Sequence, residues 1–352
     1  MTHSPAAEAV LTRVRGRSAT LTLNRPRALN SLSHAMVRDL AAALTAWEHD
    51  ERVRTVVIEG AGERGLCAGG DIRAIYEDAR AGGTASRAFW RDEYLLNARI
   101  ARYPKPYVAL MDGIVMGGGV GVSAHGAVRV VTERSTVAMP EVGIGFVPDV
   151  GGTHLLAAAP GELGTHLALT TDRMAAGGAI ACGFADHFVP SGELGAFRDA
   201  LETVSPAEAV ARFAAPAPAS EWDEHRAWID ACYATDSVEE ILARLRGCGV
   251  REAKEAAERI ATKSPTALKV TLSALRRARA LGALEPVLDQ EYRVSCAALS
   301  LPDLVEGIRA QVVDKDRRPQ WSPARLAEVG PAEVEGFFAD LGPAELGLAP
   351  RP

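Results

Sequence analysis

The chain has 352 residues, 47% of them hydrophobic and 24% charged, with a formal net charge of −6. This is an average globular composition, long enough for a sizeable core and for two domains, or one large domain with an appendage. The acidic balance argues against a general nucleic-acid binder and leaves room for a local basic patch facing a phosphate-bearing small ligand.

From Met1 to Glu8 there is no basic stretch followed by an apolar run, so no secretory signal is expected. Thr20–Asn24 reads as a strand closed by Arg25-Pro26. Ser33 caps a helix whose apolar face is Met36, Leu40, Leu44 and Trp47. Val56–Ile58 is a β-branched run ending at Gly60, the pattern of a buried strand. A second helical pattern runs over residues 86–100 through Phe89, Trp90, Leu96 and Ile100. Tyr107–Met111 reads as a strand opening into a glycine-rich run, and Val128–Val131 as another. Residues 107–131 are apolar overall, but Asp112, His125, Arg129 and six glycines interrupt them, too often for a membrane span of about twenty apolar residues. Strand signals stop after about residue 195. Pro216–Ser220 reads as a linker or surface loop, and Ser264 caps a helix with Pro265 first and Leu268, Leu272 and Leu275 on one face. The rhythm is α/β, with a core over residues 1–195 and a helical region over 196–352 that serves as lid or oligomer contact. The five cysteines (Cys67, Cys182, Cys232, Cys248, Cys296) are scattered and form no CxxC pair. A reducing, cytoplasmic location without disulfides or zinc is therefore expected.

Three stretches carry chemistry. Leu66-Cys-Ala-Gly-Gly-Asp-Ile72 places two glycines between a strand and a helix that Asp71 is positioned to cap. Gly113-Ile-Val-Met-Gly-Gly-Gly-Val-Gly121 is a second such junction. Met139-Pro-Glu-Val-Gly-Ile-Gly-Phe-Val-Pro-Asp-Val-Gly-Gly152 sets Glu141 and Asp149 in an apolar, glycine-rich loop. Glycine permits close backbone approach to a ligand, and two N–H groups from separate loops can hold a carbonyl oxygen as it becomes an oxyanion. Any one glycine cluster is by default a tight turn. Two of them with a carboxylate-bearing third favour a site. His125 reads as a hydrogen-bonded structural residue and Cys67 as a packed thiol. The near-match of Gly121–His125 to a GxSxG nucleophile elbow lacks its last glycine, and Gly119, Gly121 and Ala124 match a dinucleotide pattern only loosely.

These motifs resemble the crotonase (enoyl-CoA hydratase/isomerase) superfamily, whose AG(A/G)D and GGG segments donate the oxyanion-hole N–H groups. Those positions fall on Gly70 and Gly118. The resemblance implies a spiral core of ββα units with a helical C-terminal region, an acyl-CoA substrate, no metal or redox cofactor because coenzyme A arrives with the substrate, and a homo-oligomer. Leu23-Asn-Arg-Pro-Arg-Ala-Leu-Asn30 resembles the family segment bordering the coenzyme pocket. It implies coenzyme contacts at Arg27, Ala28 and Leu29, with Arg27 near the nucleotide phosphates, and at Ala68, Gly69, Asp71 and Ile72. Glu141 matches the second catalytic glutamate of hydratases, whereas Gly121 stands where their first glutamate lies. Managing both protons of water across a double bond takes two carboxyl groups. Glu141 with Asp149, the Phe89-Trp-Arg-Asp-Glu-Tyr94 segment and the tail segments Ser264–Lys269, Glu306–Ala310 and Asp314-Lys-Asp316 are instead similar to the 3-hydroxyisobutyryl-CoA hydrolase family. That implies Glu141 and Asp149 as the catalytic pair, Glu93 facing the acyl group, and hydrolysis of 3-hydroxyisobutyryl-CoA in valine degradation. The alternatives are an enoyl-CoA hydratase or isomerase and a non-catalytic coenzyme A-binding subunit.

Overall fold

The structure, a computed structural model, describes residues 8–349. Residues 1–7, on which most of the expectation of no secretory signal rests, lie outside that range. Among the described residues eight strands form two sheets: β1 (Val10–Arg15), β2 (Ser18–Leu23), β3 (Thr55–Gly60), β4 (Tyr107–Met111), β5 (Ile114–Met116), β6 (Val128–Val131), β7 (Thr136–Ala138) and β8 (His187–Phe188). The large sheet runs β1-β2-β3-β4-β6-β8, and β5 pairs with β7 in a small one. β1 and β2 are antiparallel, and every other pairing is parallel. Parallel strands are covered on both faces, so they carry continuous apolar runs; β4 is buried at all five residues. β1 escapes the sequence reading because it is an edge strand whose residues after Val10 are exposed. β5, β7 and β8 are two or three residues long, too short to show a period.

The small sheet builds the site's frame. Residues 65–67 run along β5 as an added rung: Cys67 N–H donates to Ile114 O at 3.1 Å and Met116 N–H to Cys67 O at 3.0 Å. β7 lies on the other side of β5, with Val115 opposite Val137. The three segments therefore leave this ladder side by side, as Ala68–Gly70, Gly117–Gly118 and Met139–Glu141.

Ser33 caps the His34–Glu48 helix through the Met36 N–H. Ser264 does the same for Pro265–Leu281 through Ala267 N–H at 3.0 Å, and Leu268, Leu272 and Leu275 of that helix are buried. Asp71 departs from expectation. It stands at the N-cap of the Ile72–Arg80 helix but makes no cap hydrogen bond. Its carboxylate turns instead to the Arg25 guanidinium at 3.0 Å, a charge-assisted partner that outcompetes a neutral N–H. Beyond β8 the regular elements are helical, and Pro216–Ser220 is an irregular loop. The Leu284–Ala298 helix packs on Ala85–Ala101, and Pro302–Ile308 packs on Ile72–Arg80. Arg73 Nη2 ties the last of these to Val312 O at 2.9 Å. Among the described residues no helix is long and apolar enough to cross a membrane.

Candidate active site

The three parallel exits open into a cavity of about 140 Å³. Its wall includes Ala68, Gly69, Gly70 and Ile72 from the first loop, Gly117 and Gly118 from the second, and Glu141, Asp149 and Val150 from the third. Glu93 enters from the Ala85–Ala101 helix, and Leu304 and Ile308 come from the C-terminal region. Trp90 and Phe146 stack at 5.4 Å and form part of the apolar wall.

Gly117 has φ +50°, the left-handed region that glycine enters freely. A Cβ there would fall 2.7 Å from Glu141 Oε1, and one on Gly118 would fall 2.7 Å from Glu93 Oε1 and 3.3 Å from Gly70 N. The glycines are thus the spaces into which two carboxylates point. Neither the Gly70 nor the Gly118 N–H finds an acceptor among the described residues, so the pair is available to an oxygen in the cavity.

The electrostatics are those of three carboxyl groups sharing one apolar pocket. Glu93 is 2% exposed, Glu141 and Asp149 7%. Glu93 Oε1 and Glu141 Oε2 are buried without a hydrogen-bond partner among the described residues. Burial, and then the charge of Asp149, pushes Glu93 and Glu141 well above the usual carboxyl range. Burial also raises Asp149, to about 7, while a donor opposes it: Tyr94 O–H donates to Asp149 Oδ2 at 2.7 Å. With the Tyr94 proton so committed, the Ser295 hydroxyl donates to the phenol oxygen at 2.7 Å. Because a charge on Asp149 disfavours ionisation of Glu93 and Glu141, the three groups titrate together.

Other candidates fall away. Gly121 does not line the cavity: a Cβ there would lie 2.7 Å from Val150 Cβ and 2.9 Å from Asn97 Nδ2. Ser123 is fully buried and donates to Gly119 O at 2.6 Å, so it is no nucleophile. Cys67 is fully buried, its thiol pushed up to about 12 by burial. His125 Nε2 donates to Val150 O at 2.8 Å. Arg27, Ala28 and Leu29 adjoin the first loop, since Ala68 N–H donates to Leu29 O, but they and Asp71 do not line this cavity.

Tyr94, Ser295 and Glu291 escape the sequence reading. Glu291, 2% exposed, accepts from Gly151 N–H at 2.6 Å, Thr153 N–H at 2.9 Å and Thr153 Oγ1 at 2.5 Å. The available signal was a carboxylate within an apolar stripe, because Val287, Leu288, Glu291, Val294, Ser295 and Ala298 share one buried helix face.

A family model described as enoyl-CoA hydratase/isomerase matches residues 18–338. The rat protein named 3-hydroxyisobutyryl-CoA hydrolase, mitochondrial, is 43% identical over 98% of this chain and 92% of its own length. The human protein of that name is 40% identical over the same shares. Among solved structures, that of a carnitinyl-CoA dehydratase from Mycobacterium thermoresistibile has a TM-score of 0.93 and 57% identity, covering 96% of this chain and 98% of that one. That of an enoyl-CoA hydratase from Rhodobacter sphaeroides 2.4.1 has a TM-score of 0.91 and 44% identity, covering 96% and 99%.

Proposed function

The chain belongs to the enoyl-CoA hydratase/isomerase (crotonase) family, and from that premise we propose that it hydrolyses a short 3-hydroxyacyl-CoA, with 3-hydroxyisobutyryl-CoA as the valine-derived substrate, to the free acid and coenzyme A. The curated hydrolase relatives, 40–43% identical over nearly the whole chain, support thioester hydrolysis as the reaction class. The names of the two solved structures point instead to water addition or loss at a double bond. One observation favours hydrolysis: the position where hydratases keep their first glutamate is Gly121, outside the cavity and closed by Val150, while Asp149 lies in the cavity wall with Glu141. A non-catalytic scaffold would have no use for three buried carboxyl groups, two with unpaired oxygens, since each such group costs stability.

In this reading the thioester oxygen accepts from the Gly70 and Gly118 N–H groups, which stabilise the charge that develops when the carbonyl is attacked. Glu141 acts at the carbonyl carbon by one of two balanced routes. As nucleophile its carboxylate oxygen bonds to the carbon, the C–S bond breaks, coenzyme A leaves as thiolate and is protonated, and water cleaves the resulting anhydride. As base it takes a proton from water, whose oxygen bonds to the carbon; the C–S bond then breaks, and the departing coenzyme A thiolate takes up the proton held by Glu141. Asp149, held by Tyr94, orients the water or the substrate hydroxyl, and Glu93 fixes the acyl group. Arg27, exposed and without an ion-pair partner among the described residues, is proposed to meet the nucleotide phosphates. No metal or redox cofactor enters these steps. A cytoplasmic location is proposed for this chain; the names of the curated relatives place those proteins in mitochondria.

The test is a panel of acyl-CoAs with free thiol as readout. Release from 3-hydroxyisobutyryl-CoA or 3-hydroxypropionyl-CoA far above that from acetyl-CoA is expected. Rapid hydration of crotonyl-CoA with no cleavage of any hydroxyacyl-CoA would reverse the assignment.

A further inference from the structure

The residue after Asp149 has a backbone that its side chain opposes. Val150 has φ +55° and Gly151 φ +79°. Two successive left-handed residues make a sharp turn, and for a β-branched residue that conformation is an outlier needing support from its surroundings. The support is visible on both ends of the peptide that joins them. The Val150 carbonyl accepts from His125 Nε2 at 2.8 Å, and the Gly151 N–H donates to Glu291 Oε2 at 2.6 Å. Glu291 also takes both Thr153 donors, at 2.9 Å and 2.5 Å, which locks the start of the Gly152–Ala158 helix. The two clamping side chains come from distant places: His125 follows the Gly118 turn, and Glu291 belongs to the C-terminal Leu284–Ala298 helix. Ser295, one turn after Glu291, bonds the Tyr94 hydroxyl that donates to Asp149.

We infer that Glu291 and His125 are positioning residues that clamp the Val150–Gly151 peptide and thereby aim the Asp149 carboxylate into the cavity. This rests on the catalytic role given to Asp149 above. The helical region is then part of the catalytic machinery through its grip on the loop, besides closing the cavity with Leu304 and Ile308. Glutamate is specified here because every neighbour of its two oxygens is a donor. An amide of the same shape would set its NH2 against either Gly151 N–H or Thr153 N–H and leave that donor without an acceptor.

The experiment is a double-mutant cycle between Glu291→Gln and Asp149→Asn on the full chain, with steady-state kinetics on the hydroxyacyl-CoA. Glu291→Gln is expected to lower kcat by about 10- to 100-fold, the scale of an ångström-sized misplacement, with KM within about threefold of the parent value. In the Asp149→Asn background the same change is expected to alter kcat by less than about twofold, because residues acting as a unit are not additive. His125→Phe, which keeps a ring and removes the donor, runs through the same cycle and carries the test if Glu291→Gln fails to fold. Losses that multiply in the double variants, or KM rising in step with the fall in kcat, overturn the clamp while leaving Asp149 its role. An Asp149→Asn variant with normal turnover overturns the role of Asp149, and the clamp with it.

Discussion

Replacing Tyr94 by phenylalanine removes the side-chain hydrogen bond that opposes the burial of Asp149 and favours its ionised form. The phenol donates to Asp149 Oδ2 at 2.7 Å inside a fully buried contact, and Asp149 already stands at about 7 because of burial. A hydrogen bond to a charged partner contributes about 1.5–3 kcal/mol, and about 1.4 kcal/mol corresponds to one pKa unit. Its loss disfavours the ionised form, so the carboxyl pKa rises, by about 1–2 units. If hydrolysis requires Asp149 itself to be ionised, so that it can accept from the water or the substrate hydroxyl, the acid limb of kcat/KM moves from about pH 7 to about pH 8–9. At pH 7 the ionised fraction then falls from about one half to roughly 1–10%, a loss of about 5- to 50-fold. The distinguishing sign is recovery: at alkaline pH the variant approaches the parent rate. The assay is kcat/KM against pH, from the decline of thioester absorbance corrected for spontaneous hydrolysis, with melting temperature recorded because Ser295 loses a partner. A limb that stays in place, or a loss that alkaline pH does not recover, would refute the reasoning.

Glu141→Gln and Asp149→Asn are each expected to lower turnover by about 10²–10⁴-fold while a binding titration shows the coenzyme thioester still bound. The double variant should be little worse than the worse single one, and near-normal turnover in either removes that residue from the mechanism. Gly118→Ala places a methyl 3.3 Å from Gly70 N and 2.7 Å from Glu93 Oε1; kcat should fall by about 10²–10³-fold, the scale of a lost oxyanion donor, and an unchanged kcat would move the oxyanion site elsewhere. Ser264 accepts from Ala267 N–H and donates to Asp303 Oδ2 at 2.5 Å, so Ser264→Ala should lower stability by about 1–3 kcal/mol, read by denaturant unfolding. In the native protein Cys248 is the exposed thiol and Cys67 is buried; alkylation should label Cys248 and spare activity, and inactivation by labelling at Cys67 would contradict its packed role.

The motif-bearing residues were legible because local chemistry restricts them. Only glycine fits at Gly117, where φ is +50° and Glu141 fills the space a Cβ would take. A carboxylate between glycines and apolar residues, as at Glu141 and Asp149, is out of place on statistical grounds before any contact is known. The helices starting after Ser33 and Ser264 were likewise written in their caps and apolar stripes. Asp71 had a capping residue's identity and position, and a longer-range arginine claimed it.

Sequence by itself therefore determined the α/β class, the glycines and carboxylates that line the cavity and the family resemblance, since each is carried by residue type at short spacing. Tertiary structure alone decided how they act together. The ladder of residues 65–67, β5 and β7 brings three loops out at one edge. Burial, a property of the whole fold, raises the Glu93, Glu141 and Asp149 pKa values. Contacts spanning 55 to 201 residues, from Tyr94 to Asp149, from Glu291 to Gly151 and from Tyr94 to Ser295, hold the third loop. Such contacts leave no periodic trace, because hydrogen-bond partners so far apart in the chain are chosen by packing and not by local conformation.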